Sequence, residues 1–272
     1  MPLATSTLAT LAAAGLALST AAFVYLRSSR VRAYRQLATR DLPMGAATGP
    51  DLMTWSRPQL PTFDDRLATI DDILPTRTFE DLKSEIEALV ETERSYLPVH
   101  KKGGTVAYET LIEKAPNVVA LYRSPRLQKL VGDIVGAEVQ PTPLHDQSSL
   151  SVLFYEKAGD HIGWHYDHNF YKGRHFTVLI PIVNRGHGGD GLSAARLIAK
   201  CRGEELTIAT PPNKFIVFEG ARVLHKVTPI ADGERRVVLS MTYCTDPRNS
   251  VVQGIARRIK DTAFFGIRAL WT

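Results

Sequence analysis

The chain has 272 residues, 44% apolar and 22% charged. This is an ordinary composition for a globular protein, which excludes global disorder and allows a sizeable buried core. The net charge of +5 is uneven: residues 1–40 carry Arg27, Arg30, Arg32, Arg35 and Arg40 with no acid, and taking these five from the 33 basic residues leaves 28 against 28 acidic ones. The body is thus formally neutral, so the chain's pI near 9.2 comes from the N-terminal segment and does not mark a nucleic-acid-binding face, and no nucleic-acid partner is expected.

Residues Leu3 to Leu26 contain no charged side chain, and about 20 such residues cross a bilayer as a helix. The arginines follow directly. By the positive-inside rule they stay cytosolic, so residues 1–40 are expected to be a single-pass N-terminal membrane anchor with the body in the cytosol. Organelle targeting is the competing reading, because the segment is acid-free and rich in Ala, Ser, Thr and Arg. Cys201 and Cys244 are far apart and form no CxxC. They are expected to be reduced thiols rather than a disulfide framework.

Residues 41–75 read as a linker, with Pro and Gly concentrated before residue 62, as in Leu42-Pro43-Met44-Gly45 and Pro58-Gln59-Leu60-Pro61. A helix is predicted from Thr78, acting as N-cap, with Phe79, Leu82, Ile86, Leu89 and Val90 as its apolar stripe. A second follows Ser124-Pro125, with Leu127, Leu130, Val131 and Ile134 on one face. After residue 148 the pattern changes to short runs rich in β-branched, Leu and aromatic residues: 149–155, 176–183, 205–209, 214–218 and 236–243. Turn signals separate them at Gly159-Asp160, Gly186 to Gly191, Pro211-Pro212-Asn213 and Asp232-Gly233. Such spacing points to a β-sandwich or barrel. The division is therefore 76–140 as helical support, 141–246 as a β core, and 247–272 as a C-terminal extension without an assigned role.

Gly163-Trp164-His165-Tyr166-Asp167-His168 carries the chemistry. In a strand, His165 and Asp167 point to one side. A second imidazole, His225 in Leu224-His225-Lys226-Val227-Thr228-Pro229, lies between two strand-like runs, so a neighbouring strand can bring it to the same point. Two His and one carboxylate on one face of a metal form the facial triad of non-haem Fe(II) oxygenases. Farther on, Arg236, Val238, Ser240 and Thr242 share one face of a strand, and Arg235, Val237, Leu239, Met241 and Tyr243 share the other. The second face suits packing. The first offers an arginine fork and hydroxyls suited to a carboxylate such as that of 2-oxoglutarate.

Together these elements resemble the 2-oxoglutarate/Fe(II)-dependent dioxygenase superfamily, nearest its prolyl 4-hydroxylase-like branch, over about residues 125–246. The carriers are Phe154 to Gly159, His165-Tyr166-Asp167, Phe215 to Glu219, His225 to Ile230, and Gly233 to Tyr243. The resemblance implies a double-stranded β-helix (jelly roll) core: mainly β, with supporting helices and the N-terminal membrane-type helix. It implies His165, Asp167 and His225 as Fe(II) ligands and as the catalytic centre. Arg236, with Ser240 and Tyr155, would bind 2-oxoglutarate. Many relatives use Lys, or an Arg one residue earlier, which keeps Arg235 in play. The implied reaction hydroxylates an unidentified substrate, converts 2-oxoglutarate and O2 to succinate and CO2, and uses L-ascorbate to keep iron reduced. Family members that halogenate have a small residue where Asp167 stands, so Asp167 argues for hydroxylation. Asp146, Gln147, His168, Lys172, Arg174 and His175 are candidate substrate contacts. Two alternatives are a metal-dependent oxygenase that does not use 2-oxoglutarate and a membrane-anchored, non-catalytic metal-binding barrel.

Overall fold

The computed structural model describes residues 3–39, 60–92, 95–96, 101–143 and 145–265. The chain begins with α1 (Leu3–Thr39), β1 (Leu67–Ile70), α2 (Thr76–Thr92), β2 (Ser95–Tyr96), β3 (Lys101–Lys102) and β4 (Gly104–Val106). Then come α3 (Tyr108–Lys114), α4 (Pro116–Arg123), α5 (Pro125–Val135) and β5 (Gln140–Pro141). The remainder is β6 (Leu150–Tyr155), β7 (His161–His165), β8 (His175–Arg185), β9 (Leu197–Cys201), β10 (Glu204–Ile208), β11 (Phe215–Phe218), β12 (Leu224–Val227), β13 (Arg235–Cys244) and α6 (Val251–Phe265).

The strands form two antiparallel sheets. The larger has the order β1-β11-β8-β13-β6-β4-β2, with β5 also pairing β13; the smaller has the order β10-β9-β12-β7-β3. From β6 onward the chain alternates between them: β6, β8, β11 and β13 in one, and β7, β9–β10 and β12 in the other. That alternation winds the two sheets face to face as a jelly roll, the expected core.

Burial follows the two-residue period of the strands. On β13, Val237, Leu239, Met241 and Tyr243 join Phe176, Val178 and Ile180 of β8 and Leu82, Ile86, Val118, Leu121, Leu127 and Val131 of the helices in one core. The opposite sides face the second core between the sheets, where Tyr155, Leu179, Leu197, Phe218, Val227 and Val238 meet. With helices on one side and the small sheet on the other, β8 is buried at ten of its eleven positions. Its sequence is accordingly a nearly continuous apolar run.

α5 follows its sequence signals: Pro125 opens it and Gly136 closes it at φ 67°, a left-handed conformation that glycine adopts without strain. α2 starts two residues before the expected Thr78. The Phe79 N–H donates to Pro75 O at 2.9 Å, so Pro75 supplies the first turn's acceptor and the Thr78 side chain is buried. Within the segment read as linker, residues 41–59 lie outside the described residues, while Leu67–Ile70 is an edge strand on β11. Four residues are too few to establish an alternation in sequence. The stretch 76–140 also contains β2, β3 and β4, the last paired with β6. β9 was not foreseen either. It joins β10 through Arg202 and Gly203, at φ 50° and 88°. This is a tight hairpin turn, and Arg is an uncommon first residue for it, which removes the usual Asn-Gly or Asp-Gly signal.

α1 is apolar enough to cross a membrane over Ala9–Ala33, with mean hydropathy 1.7 and none of that stretch buried. Its second half approaches the body where Arg30 pairs with Glu109 of α3. Cys201 and Cys244 are both free, as expected.

Candidate metal centre and its cavity

Strand register assembles the site. β12 pairs with β7 so that His225 lies opposite His165. Asp167 lies just past the end of β7, not on it, and its N–H donates to Gly220 O at 3.0 Å. Ligand-type atoms of His165, Asp167 and His225 all lie within 4.8 Å of one another. The Asp167 Oδ1 is 3.6 Å from His165 Nε2 and 3.8 Å from His225 Nε2.

The surroundings fix how these groups point. His165 Nδ1 lies 2.8 Å from Gly163 O, and His225 Nδ1 lies 3.0 Å from Val223 O. Each ring therefore donates from Nδ1 to a carbonyl and turns the lone pair of Nε2 inward, the tautomer a metal requires. Phe218 packs edge-on against His225 with centroids 4.7 Å apart. The Thr177 hydroxyl donates to Asp167 Oδ2 at 2.5 Å. A Cβ on residue 220 would lie 2.6 Å from that same oxygen and 2.7 Å from Asp167 Cβ, so only glycine leaves room for the carboxylate. Burial lowers the His165 imidazole, and the nearby His225 lowers it further. Burial raises the Asp167 carboxyl, but the two imidazoles and Thr177 outweigh it and hold it below the usual range. His165 is thus favoured as a neutral base beside an anionic Asp167 carboxylate.

A cavity of about 420 Å³ opens from this point between the sheets. Arg236, Tyr155 and Ser240 line it with the trio. Arg236 of β13 is the cross-strand partner of Tyr155 of β6, as Ser240 is of Ser151. The Arg236 guanidinium lies 5.2 Å above the Tyr155 ring and is 1% exposed. Its Nε and the Tyr155 hydroxyl are buried with no hydrogen-bond partner. Burial pushes the Tyr155 phenol up to about 12 against the pull of Arg236, so it remains a neutral donor. Arg235 points the other way, bonded to Glu156 and Glu87 at 3.0 Å each. Of the two arginines, Arg236 lines the cavity and Arg235 does not.

Part of the cavity lining is polar. Asp146, Ser148, His175, Thr242 and Lys260 belong to it. Tyr171 donates to Asp146 at 2.6 Å, and Lys260 Nζ lies 3.6 Å from Asp146 and 2.8 Å from Asp261. Burial raises the Asp146 carboxyl, but Lys260 and the Tyr171 hydroxyl outweigh it and bring it to about 2. The His175 Nδ1 is buried without a partner. Among the expected substrate contacts, Asp146, His168 and His175 line this space. Arg174 instead pairs with Glu219 at 3.3 Å. Gln147 is buried beside α3, accepting from the Glu109 N–H at 3.2 Å, and Lys172 is exposed and away from the cavity. Sequence reasoning missed Thr177, Gly220 and Lys260. Lys260 belongs to the extension that had no assigned role.

A family model described as Halogenase D matches residues 60–188. No curated protein matches the chain in sequence. Among solved structures, the carbocyclase SnoK from nogalamycin biosynthesis, described as non-haem and α-ketoglutarate-dependent, superposes at TM-score 0.57 with 11% identity, over 77% of this chain and 94% of its own. The epimerase SnoN of the same biosynthesis gives 0.54 and 15% over 66% and 77%. A prolyl hydroxylase from Trichoplax adhaerens, in complex with a hypoxia-inducible factor peptide, gives 0.54 and 14% over 67% and 84%. At these identities the likeness is one of fold. The chain resembles the 2-oxoglutarate/Fe(II) oxygenases, prolyl hydroxylases among them, in the barrel they share.

Proposed function

We propose that this chain is an Fe(II)- and 2-oxoglutarate-dependent dioxygenase that hydroxylates its substrate. One observation carries the reading: two inward-turned imidazoles and a carboxylate share a cavity with Arg236 and Tyr155, whose buried Nε and hydroxyl have no hydrogen-bond partner. His165, Asp167 and His225 fit a divalent metal with one face left open. Arg236 and Tyr155, with the Ser240 hydroxyl, fit the distal carboxylate of 2-oxoglutarate.

With iron bound, the centre supplies the oxidation that converts O2, 2-oxoglutarate and a substrate C–H into succinate, CO2 and an alcohol. The chain's own residues do the rest. Thr177 and Gly220 hold the Asp167 carboxylate in place. Arg236 and Tyr155 orient the co-substrate. The packed interior excludes water, and Asp146, His175 and Lys260 present a polar wall to the substrate. Ascorbate serves as the reductant. α1 anchors the enzyme in a membrane, with the barrel on the cytosolic side that its arginines prefer.

A second reading, halogenation, draws on the Halogenase D match. The Asp167 carboxylate argues against it, because it fills the position that halogenating relatives leave small for a halide. The test loads the full chain with Fe(II) without oxygen, adds 2-oxoglutarate and admits air. Succinate should form, His165→Ala should abolish it, and Arg236→Ala should sharply reduce it at low 2-oxoglutarate. A full chain that binds neither Fe(II) nor 2-oxoglutarate would sink the proposal. A chlorinated product from a substrate screen would favour the second reading.

A further inference from the structure

α6 is built inside out. An amphipathic helix on a water-soluble body turns its apolar side inward. In α6 the charged side is inward: Arg257 is 1% exposed and Asp261 0%, paired at 2.6 Å, and Arg257 donates to His145 O. Lys260, near the same side, reaches Asp261 and the cavity. Outside lie Val251, Val252, Ile255 and Ile259, between 52% and 81% exposed. At 3.6 residues per turn these four fall within about 100° of arc. They form one stripe, not scattered surface residues.

Two observations indicate what covers the stripe. The chain has a second bare apolar element, the Ala9–Ala33 stretch of α1, where Leu16 and Leu18 are over 70% exposed. The basic end of that stretch also approaches the body, where Arg30 pairs with Glu109 of α3. Burial lowers the Arg258 guanidinium, and Arg27 lowers it further. The Arg258 Nε has no hydrogen-bond partner. The chain thus carries two bare apolar surfaces with like charges, Arg27 and Arg258, beside them, the arrangement that an acyl layer under anionic headgroups satisfies.

We propose that the Val251–Ile259 stripe of α6 lies in the interfacial layer of the bilayer that α1 spans, with Arg27 and Arg258 meeting anionic headgroups. The proposal rests on the anchor reading of α1 given above. Lys260, on the opposite side of α6, lines the cavity, so the bilayer surface and the polar part of the cavity lie on two sides of one helix.

The test uses the full chain with Cys201→Ser and Ile255→Cys; Cys244 is buried and stays unlabelled. Residue 255 carries an environment-sensitive fluorophore, and a parallel variant carries it at Leu16→Cys. Both are reconstituted in phosphatidylcholine vesicles, with and without phosphatidylserine, containing lipids quencher-labelled near the headgroup end of the acyl chain. An interfacial stripe sits about 5–10 Å deep, so the label at 255 should be quenched about twofold or more. That quenching should weaken without phosphatidylserine and in Arg258→Gln, while the label at 16 is indifferent to both. Quenching at 16 but not at 255 overturns the docking and leaves the anchor standing. Quenching at neither overturns both. A label at 255 that is shielded from water, unquenched by lipid and released on dilution with unlabelled chain identifies a second copy as the occupant and also overturns the proposal.

Discussion

The two faces of β13 obey different rules. Val237, Leu239, Met241 and Tyr243 turn outward against the helices; Arg236, Val238, Ser240 and Thr242 turn inward to the cavity. The outer face needs volume and apolarity, and swaps that keep volume cost it under about 1.5 kcal/mol. The inner face needs particular atoms at particular places. Mutations on the outer face should therefore change stability and leave ligand binding alone, and mutations in the cavity should do the reverse.

The largest effect is expected at the metal centre. His165→Ala should lower Fe(II) affinity, read by anaerobic titration, by more than the roughly 10–100-fold typical of losing an outer-shell partner. Its melting temperature without metal should change little. Next is Arg236→Ala. Losing a buried charged contact costs about 2–5 kcal/mol, so the KM for 2-oxoglutarate should rise by roughly two orders of magnitude or more. Of comparable energy but opposite kind is Leu239→Ala on the outer face, which should lower unfolding stability by about 2–5 kcal/mol. Its 2-oxoglutarate Kd should be unchanged, and a large shift there would break the comparison. Thr177→Val keeps the shape but removes the hydroxyl on Asp167, and should weaken Fe(II) binding about tenfold or more. The smallest effect is expected for Tyr155→Phe. With its phenol at about 12, Tyr155 acts as a neutral donor across the working range. Its loss should cost about 1 kcal/mol in 2-oxoglutarate affinity, with no new pH dependence below pH 9.

Legibility followed sequence distance. His165 and Asp167 are two residues apart, so strand geometry alone put them together, even though Asp167 turned out to lie just beyond the strand. Phase set Arg236 on the face of Val238, Ser240 and Thr242, but Arg235 stayed in play until the structure showed it bonded to Glu156 and Glu87. His225 depended on strand pairing that the sequence only allows, and order along the chain supplied it. Thr177 and Gly220 were invisible. Each touches Asp167 across a sheet or between loops, and a threonine in an apolar strand or a glycine after Glu219 looks like many others. Lys260 was hidden for a different reason. Residues 247–272 were read only as an extension, with no helix assigned, and α6 turns its charges inward rather than its apolar stripe.

Under the proposed function, the buried guanidinium of Arg236 would give the co-substrate a part in folding as well as in chemistry. Among the described residues no ion pair to Arg236 forms, and its Nε has no partner. Holding a charge away from water costs several kcal/mol unless it is paired, so the anion that satisfies it is expected to act as a structural ligand. At a hundred times its Kd such a ligand adds about 2.7 kcal/mol of stability. The melting temperature of the full chain should climb with 2-oxoglutarate, and Arg236→Ala should flatten that climb. In a cell, the lifetime of the polypeptide would then follow the supply of a central metabolite, with the barrel persisting when 2-oxoglutarate is plentiful and turning over faster when it is scarce.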